Sequence, residues 1–403
     1  KYADYINVEK DFAILKFQFK MQKAEETYDI WYQFSIKKVL DYSDMEGDAL
    51  AESETRYKIQ IFDEVLSFTY LSDKEKIRKS ALIDTRTVGV FVPKSKYNEF
   101  LKNIDEDVME LLLTKRLAQE QSRSFIFSRE MMKRFRKSCE IEIYLNILNG
   151  LSTFGNRELF IIDTQHDGLI NMNALPLAFK YKEKNSEAVG NLLLPLNKPA
   201  SIPEEATELV KNIIDNMNIV LQQLVPGLTI GVVDLGPAVS KEGKIGRLIQ
   251  LMSLKNEKAI PFQYESEGIK KIVSILQLLI VVYNNPSITV AIDELDSGIF
   301  EYLLGELLNI ISEKGKGQLI FTSHNLRPLE TIDKGFIAFT TTNPDNRYIR
   351  MTNVKVNNNL RDFYYRDIVL GEQSEPVYNS TNNYEIALAF REAGEAFGSQ
   401  ENK

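Results

Sequence analysis

Between residues 265 and 325 the spacing of apolar positions switches repeatedly between two periods. In "YESEGIKKIVSILQLLI" (264–280), Ile269, Ile272, Val273, Leu276 and Leu279 fall at helical intervals. "SITVAI" (287–292) is short and apolar on both faces, as strands inside a parallel sheet are. "FEYLLGELLNIIS" (300–312) returns to the helical period, and "GQLIFTSHN" (317–325) is β-rich again. Helix and strand in alternation predict a parallel α/β sheet.

The rest of the chain divides by pattern. Residues 1–95 read as a β-rich lobe. "FAILKFQFK" (12–20) and "YDIWYQFSIKK" (28–38) form a hairpin across the polar turn Lys23–Glu26, residues 56–70 hold a pair of strands, and "VGVFVPK" (88–94) adds another. Residues 96–225 read as a mainly helical insertion. Phe100, Ile104, Val108, Leu111 and Leu112 repeat at helical spacing, and a long helix follows Pro203 and stops at Pro226-Gly227. Residues 226–403 begin with two strands, "LTIGVVDLG" and "IGRLIQLMSL", joined by a polar loop, and continue into the alternating segment. "ELFIIDTQHDGLI" (158–170) reads as a strand ending at Asp163. A polar turn with His166, Asp167 and Gly168 follows, and no nucleophile or third ligand accompanies that His–Asp pair.

Composition narrows the classes. Hydrophobic residues make up 44% and charged residues 26% of 403 positions, the balance of an ordinary soluble globular protein. The net charge of −8 argues against a protein that coats nucleic acid wholesale. Eight basic residues between 115 and 137 still leave room for a local DNA contact: Lys115, Arg116, Arg123, Arg129, Lys133, Arg134, Arg136 and Lys137. As a solvated helix face they need no partner. Cys139 is the only cysteine, and His166 and His324 are the only histidines, so disulfide, zinc-cluster and histidine metal sites are poor fits. No apolar run reaches membrane-spanning length, and no signal-peptide pattern opens the chain, so no membrane contact and a cytoplasmic location are expected.

Candidate chemistry gathers in the alternating segment. Asp293 and Glu294 sit at the C-terminal end of the first strand, where open α/β sheets bind their ligands. "LDSGIF" (295–300) is a tight polar turn into the next helix, and Ser323, His324 and Asn325 end the second strand. Ser266, Glu267 and Gly268 lead into the first helix, where a free hydroxyl at a helix N-terminus makes an anion site. Taken alone, Ser266 is an ordinary N-cap and Asp293 a solvated strand end. The ordered set is what carries meaning.

At these residues the chain resembles the nucleotide-binding heads of the ABC-type ATPases, in the SMC/RecF/OLD-like branch. Ser266-Glu267-Gly268 resembles the ABC signature, Asp293-Glu294 the Walker B pair, Asp296-Ser297 the D-loop and His324 the switch histidine. "FTTTNPDNRYIRM" (339–351) is similar to the hairpin that follows in small standalone heads, many of them from bacterial antiphage defence. The motifs cover roughly 262–351, and the β lobe and helical insertion follow the expected order.

The resemblance implies an α/β ABC-type P-loop ATPase head that binds ATP and Mg²⁺. Asp293 would hold the metal, Glu294 would polarise the attacking water, and His324 would sense the γ-phosphate. Ser266, Glu267, Gly268, Asp296 and Ser297 would meet nucleotide across a head-to-head dimer. Nucleotide-dependent dimerisation would then regulate a separate toxin or nuclease effector. A RecF-like repair ATPase that binds DNA is the first alternative, and a non-hydrolysing scaffold the second.

One departure from the family stands out. No GxxxxGK[ST] P-loop occurs in the sequence. "GPAVSKEGKIG" (236–246) has the wrong glycine spacing, and Ile245 follows Lys244. The family places its P-loop before the β lobe, so the expectation is that it lies upstream of Lys1.

Overall fold

The computed structural model describes residues 6–41, 57–100, 104–162, 174–183, 186–239, 245–256, 258–352, 359–371, 373–378 and 381–398. It divides into two compact units, Lys1–Asn156 and Arg157–Lys403.

Among the described residues, the first unit is a four-stranded antiparallel sheet in the order β1-β2-β3-β4 with four α-helices. Its strands are β1 (Phe12–Lys23), β2 (Glu26–Leu40), β3 (Tyr57–Leu71) and β4 (Lys76–Asp84). The helices are α1 (Lys94–Phe100), α2 (Ile104–Glu120), α3 (Arg129–Ser138) and α4 (Glu142–Thr153). Lys23 pairs with Glu26 at the tip of the β1–β2 hairpin, where Ala24 adopts a φ of 52°. Tyr28, Ile30, Leu66 and Phe68 bury their side chains in one core with Phe100, Phe135, Ile147 and Leu148 of the helices.

Two details differ from the sequence expectation. Residues 57–71 form one strand, not two. The Asp63-Glu64 break in alternation is absorbed by a bulge, with Asp63 at φ 53° and Glu64 turned inward. The buried Glu64 carboxylate accepts from the Tyr32 hydroxyl at 2.7 Å, the Phe125 amide at 2.6 Å and the Ser124 hydroxyl. The second difference is at 88–94, where Val92 makes one isolated bridge to Asp84 and no strand forms. The Lys115 ammonium lies against this segment and the residues before it, within 2.8, 3.0 and 2.9 Å of the Thr85, Thr87 and Gly89 carbonyl oxygens and 3.3 Å of that of Val90, which share its three protons.

The second unit contains β5 (Leu159–Ile162), the hairpin β6 (Ala174–Glu183) and β7 (Ser186–Pro195), and β8 (Ala200–Pro203). The stretch 96–225 therefore carries these strands besides its helices. Helix α5 (Ala206–Leu224) ends before Gly227, whose φ of 83° turns the chain into β9 (Leu228–Val239). As expected, β9 pairs antiparallel with β10 (Ile245–Lys255), which also pairs with β8 and β11 (Lys258–Pro261). The span 236–246 thus crosses a hairpin, and residues 240–244 lie outside the described set. So does the turn with His166, Asp167 and Gly168.

Then come α6 (Glu267–Asn284), β12 (Thr289–Ile292), α7 (Glu301–Lys314), β13 (Gln318–Phe321) and the short α8 (Pro328–Thr331). The two-stranded hairpin of β14 (Phe339–Thr340) and β15 (Tyr348–Ile349) follows, then α9 (Leu360–Leu370) and α10 (Asn383–Gly398). Strand β12 lies between β5 and β13 and runs parallel to both. Helix α6 is buried almost all round, through Val273, Ile275, Leu276, Leu278 and Val282, as befits a helix enclosed by its unit. Among the described residues no helix is long and apolar enough to cross a membrane.

Candidate functional site

The parallel pairing of β12 with β13 fixes the chemistry at one sheet edge. Ile292 is level with Phe321 on one side and with Ile162 on the other, so the residues that follow leave the sheet together. The ladder runs one step further: the Asp293 amide donates to the Ile162 carbonyl at 3.0 Å, and the Thr322 amide to the Ile292 carbonyl at 3.1 Å. Asp293, Glu294, Thr322 and His324 therefore meet at the strands' C-terminal ends.

Thr322 links the Asp293 carboxylate to the Glu294 backbone. Its hydroxyl accepts from the Glu294 amide at 2.8 Å and donates to the Asp293 carboxylate. A hydroxyl does both at once because it has one proton and two lone pairs. Glu294 sits at φ 47°, in the left-handed region that a residue with a Cβ seldom occupies. That backbone bend lifts its side chain out of the strand's alternation. Its Oε1 lies 4.0 Å from Nε2 of His324, with the two side chains 43% and 86% exposed. Both groups are open to a ligand.

The turn after Glu294 is held from two sides. The Ser297 amide donates to the Glu294 carbonyl at 3.0 Å, and the Leu295 amide donates to the Thr322 carbonyl at 3.0 Å. The Asp296 carboxylate accepts from the amides of His324 and Asn325 at 3.3 and 3.0 Å. Asp296 thus links the turn to the loop that carries His324. Ser297 and Gly298 are exposed.

Ser266 is the N-cap of α6, and its Oγ accepts from the Ile269 amide at 3.4 Å. The cap uses a lone pair, so the hydroxyl keeps a proton to donate outward. Glu267 is exposed and pairs with Lys270 at 3.0 Å. Gly268 packs against the turn itself, where a Cβ would come within 2.6 Å of the Gly298 carbonyl oxygen. The α6 N-terminus and the Asp296–Gly298 turn, distant in sequence, are one surface.

Two contributors are not visible in the sequence pattern. Thr322 reads as an ordinary strand residue. Lys271 reads as one more polar position on an amphipathic helix, yet it is 1% exposed and its Nζ reaches the Glu294 carbonyl at 3.4 Å. Burial pushes the Lys271 ammonium below the usual lysine range, against the opposing pull of Asp296, Glu294 and Asp293. The one signal in sequence is that Lys271 shares a helical face with Ile275, Leu278 and Val282, four, seven and eleven positions further on.

The donor set could supply part of the oxygen shell of a hard divalent cation. Asp293 offers carboxylate oxygen and Thr322 a hydroxyl at the same strand ends. Among the described residues no group of three or more His, Cys, Asp or Glu side chains forms a metal cage. Mg²⁺ commonly binds through one or two carboxylates plus phosphates and water, and Asp293 fits that mode.

Of the eight basic residues between 115 and 137, Lys115 serves the carbonyl cradle of its own unit and Arg134 pairs with Glu110. Arg116 pairs with Glu120, and Arg136 donates to Asn149 at 3.2 Å. Arg116, Arg123, Arg129, Lys133, Arg136 and Lys137 are exposed.

Fold and site together define a mixed α/β protein with an N-terminal β-sheet lobe, a helical region and a carboxylate centre on a parallel sheet edge. No family model and no curated protein matches the chain. Among solved structures it is distantly similar to ATPase heads of SMC proteins. One is an SMC ATPase studied for ATP-driven dimerization and DNA-stimulated activation, with 11% identity and a TM-score of 0.30 over 41% of this chain and 96% of that one. A second is an SMC head bound to the C-terminal winged-helix domain of ScpA, with 12% identity and a TM-score of 0.26 over 75% and 67%. A third is an SMC head with an extended coiled coil bound to the C-terminal domain of ScpA from Pyrococcus furiosus, with 11% identity and a TM-score of 0.23 over 75% and 72%. The residues at the strand ends, not these likenesses, carry the functional conclusion.

Proposed function

We propose that this protein is an ABC-type ATPase whose heads self-associate when ATP is bound and separate after hydrolysis. The observation that carries the reading is the meeting of Asp293, Glu294, Thr322 and His324 at one edge of a parallel sheet. In this reading Glu294 is the general base that takes a proton from the attacking water. Its half-exposed carboxylate and left-handed backbone aim it away from the sheet and beside His324. His324 donates to the γ-phosphate and registers its loss.

Asp293 would hold Mg²⁺, which when bound neutralises phosphate charge. Thr322 fixes the Asp293 carboxylate by hydrogen bonding. Ser266 and the positive end of α6 face outward and would meet the γ-phosphate carried by a second copy. Asp296 and Ser297, on the turn packed against Gly268, would line the same contact.

Association that depends on nucleotide is a switch, and a switch of this kind regulates a partner. We assign that partner to a separate effector, a toxin or nuclease, in a bacterial antiphage system. The test is hydrolysis of ATP by the full-length protein with and without Mg²⁺, wild type beside Glu294→Gln. Mg²⁺-dependent turnover in wild type and a loss of about 10²–10⁴ in the variant are expected. Absence of both ATP binding and turnover in wild type would leave the carboxylates architectural and favour a nucleotide-free scaffold.

The exposed basic residues of the first unit support a second reading, a DNA-dependent repair ATPase of the RecF kind. It requires strongly DNA-stimulated hydrolysis and binding that weakens steeply with salt.

A further inference from the structure

The buried amine beneath the carboxylates is the feature that the proposed chemistry leaves unused. Lys271 projects from the second turn of α6, and its Nζ lies 3.4 Å from the carbonyl oxygen of Glu294. A lysine is seldom enclosed to 1% exposure unless its charge is matched. Here the pull of Asp296, Glu294 and Asp293 opposes the cost of burial without outweighing it. The carbonyl it approaches belongs to the residue whose φ of 47° is uncommon for a side chain of this size. That same carbonyl also accepts from Ser297 at 3.0 Å, so it is the anchor of the whole turn.

We infer that Lys271 is a positioning residue. It pins the Glu294 backbone in its left-handed bend and offsets the negative charge of the carboxylate cluster, so that the Glu294 side chain stays in register with His324. This inference rests on the ATPase reading of the site for its catalytic consequence. Its structural half stands independently. Because Lys271 belongs to α6, the helix that Ser266 caps, it also ties the base of one site to the surface offered to a second copy.

Three variants of the full-length protein test it: Lys271→Met, which keeps the stem and removes the amine, Lys271→Gln, which keeps a neutral donor, and Lys271→Met combined with Glu294→Gln. For Lys271→Met the expected result is a fall in kcat of tenfold or more with KM for ATP within about threefold of wild type. Lys271→Gln should recover part of that loss. The double variant should turn over no more slowly than Glu294→Gln alone, since Lys271 acts through Glu294. Hydrogen exchange by mass spectrometry supplies a readout that needs no turnover. Amides of the 293–299 segment should exchange faster in Lys271→Met, while those of the first unit keep their wild-type rates.

Wild-type kcat together with wild-type exchange at 293–299 in folded Lys271→Met would overturn the inference. A loss in KM alone, or additive losses in the double variant, would also overturn it. If wild type shows no turnover at all, the ATPase reading fails and the exchange result still decides whether Lys271 pins the turn. Should Lys271→Met not fold, the same measurements on Lys271→Gln decide the matter.

Discussion

Gly268 and Gly298, thirty positions apart, pack backbone to backbone: a Cβ built on Gly268 would lie 2.6 Å from the Gly298 carbonyl oxygen. Gly298 itself has a φ of 76°, which opens the turn that starts at Glu294. One glycine is needed for space and the other for conformation. Together they let the N-terminus of α6 and the turn after β12 share a surface.

Gly268→Ala should therefore cost about 1–3 kcal/mol of stability by overpacking, with the helix-propensity gain of alanine too small to offset it. A lowered denaturant midpoint at unchanged slope is the expected result. ATP turnover should fall together with nucleotide-dependent association, because both sides of the contact shift. A fully stable and active Gly268→Ala protein would show that the two segments move apart freely.

The part of this arrangement legible in sequence is the order of the elements. Apolar-on-both-faces residues at 288–292 announce a parallel strand, and β12 does lie between two parallel neighbours. The ends of such strands define an edge, so Asp293, Glu294 and His324 can be brought together on paper. Interactions that depend on side-chain reach are not legible. Lys271 shares a helical face with Ile275 and Leu278, but that pattern does not say that its ammonium turns toward carboxylates. Asp296 can be read as ligand-facing, yet it spends its carboxylate on the amides of His324 and Asn325. In the β lobe, "VGVFVPK" has strand composition, but the Lys115 ammonium takes the Gly89 and Val90 carbonyls and only Val92 bridges to Asp84.

Lys115→Met should destabilise the first unit by about 1.5–3 kcal/mol, the range for hydrogen bonds to a charged group. Chemical denaturation followed by Trp31 fluorescence would measure it. ATP turnover per folded molecule should stay near wild type. If stability is unchanged, the loop over 85–90 is held by something other than the ammonium.

Glu265, next to the Ser266 cap, gives a pH dependence with a definite sign. Burial alone would raise its pKa, but hydrogen bonds from Lys255 at 2.8 Å and from the Ser253 hydroxyl outweigh it, so the net shift is downward. A carboxylate whose folded pKa lies below its unfolded value near 4.5 adds stability above that value. That stability is lost as pH falls from about 4.5 through the depressed folded-state value. Glu265→Gln should be less stable at neutral pH and lose less on acidification. Parallel acid-denaturation curves for the two proteins would contradict this.

The exposed basic residues separate the two ATPase readings. Changing Arg123, Arg129, Lys133 and Lys137 together to Glu should leave basal ATP turnover within about twofold of wild type. If DNA is a ligand, its binding and the salt dependence of that binding should both drop sharply. The logarithmic slope should fall by roughly 0.9 for each phosphate that the protein no longer neutralises. Titration of labelled duplex at several salt concentrations reads both. Strong DNA stimulation of wild-type turnover that disappears in the variant would move the assignment to the repair class.

The central claim is that ATP drives association and hydrolysis reverses it. The measurement that tests it most directly is the mass of full-length Glu294→Gln by light scattering, with ATP and Mg²⁺ and without them, beside Glu294→Gln combined with Ser266→Arg. A dimer or larger assembly is predicted for Glu294→Gln only when ATP and Mg²⁺ are both present, and no such shift once Ser266 is replaced. A mass that ignores nucleotide, or a shift that survives Ser266→Arg, would contradict the claim.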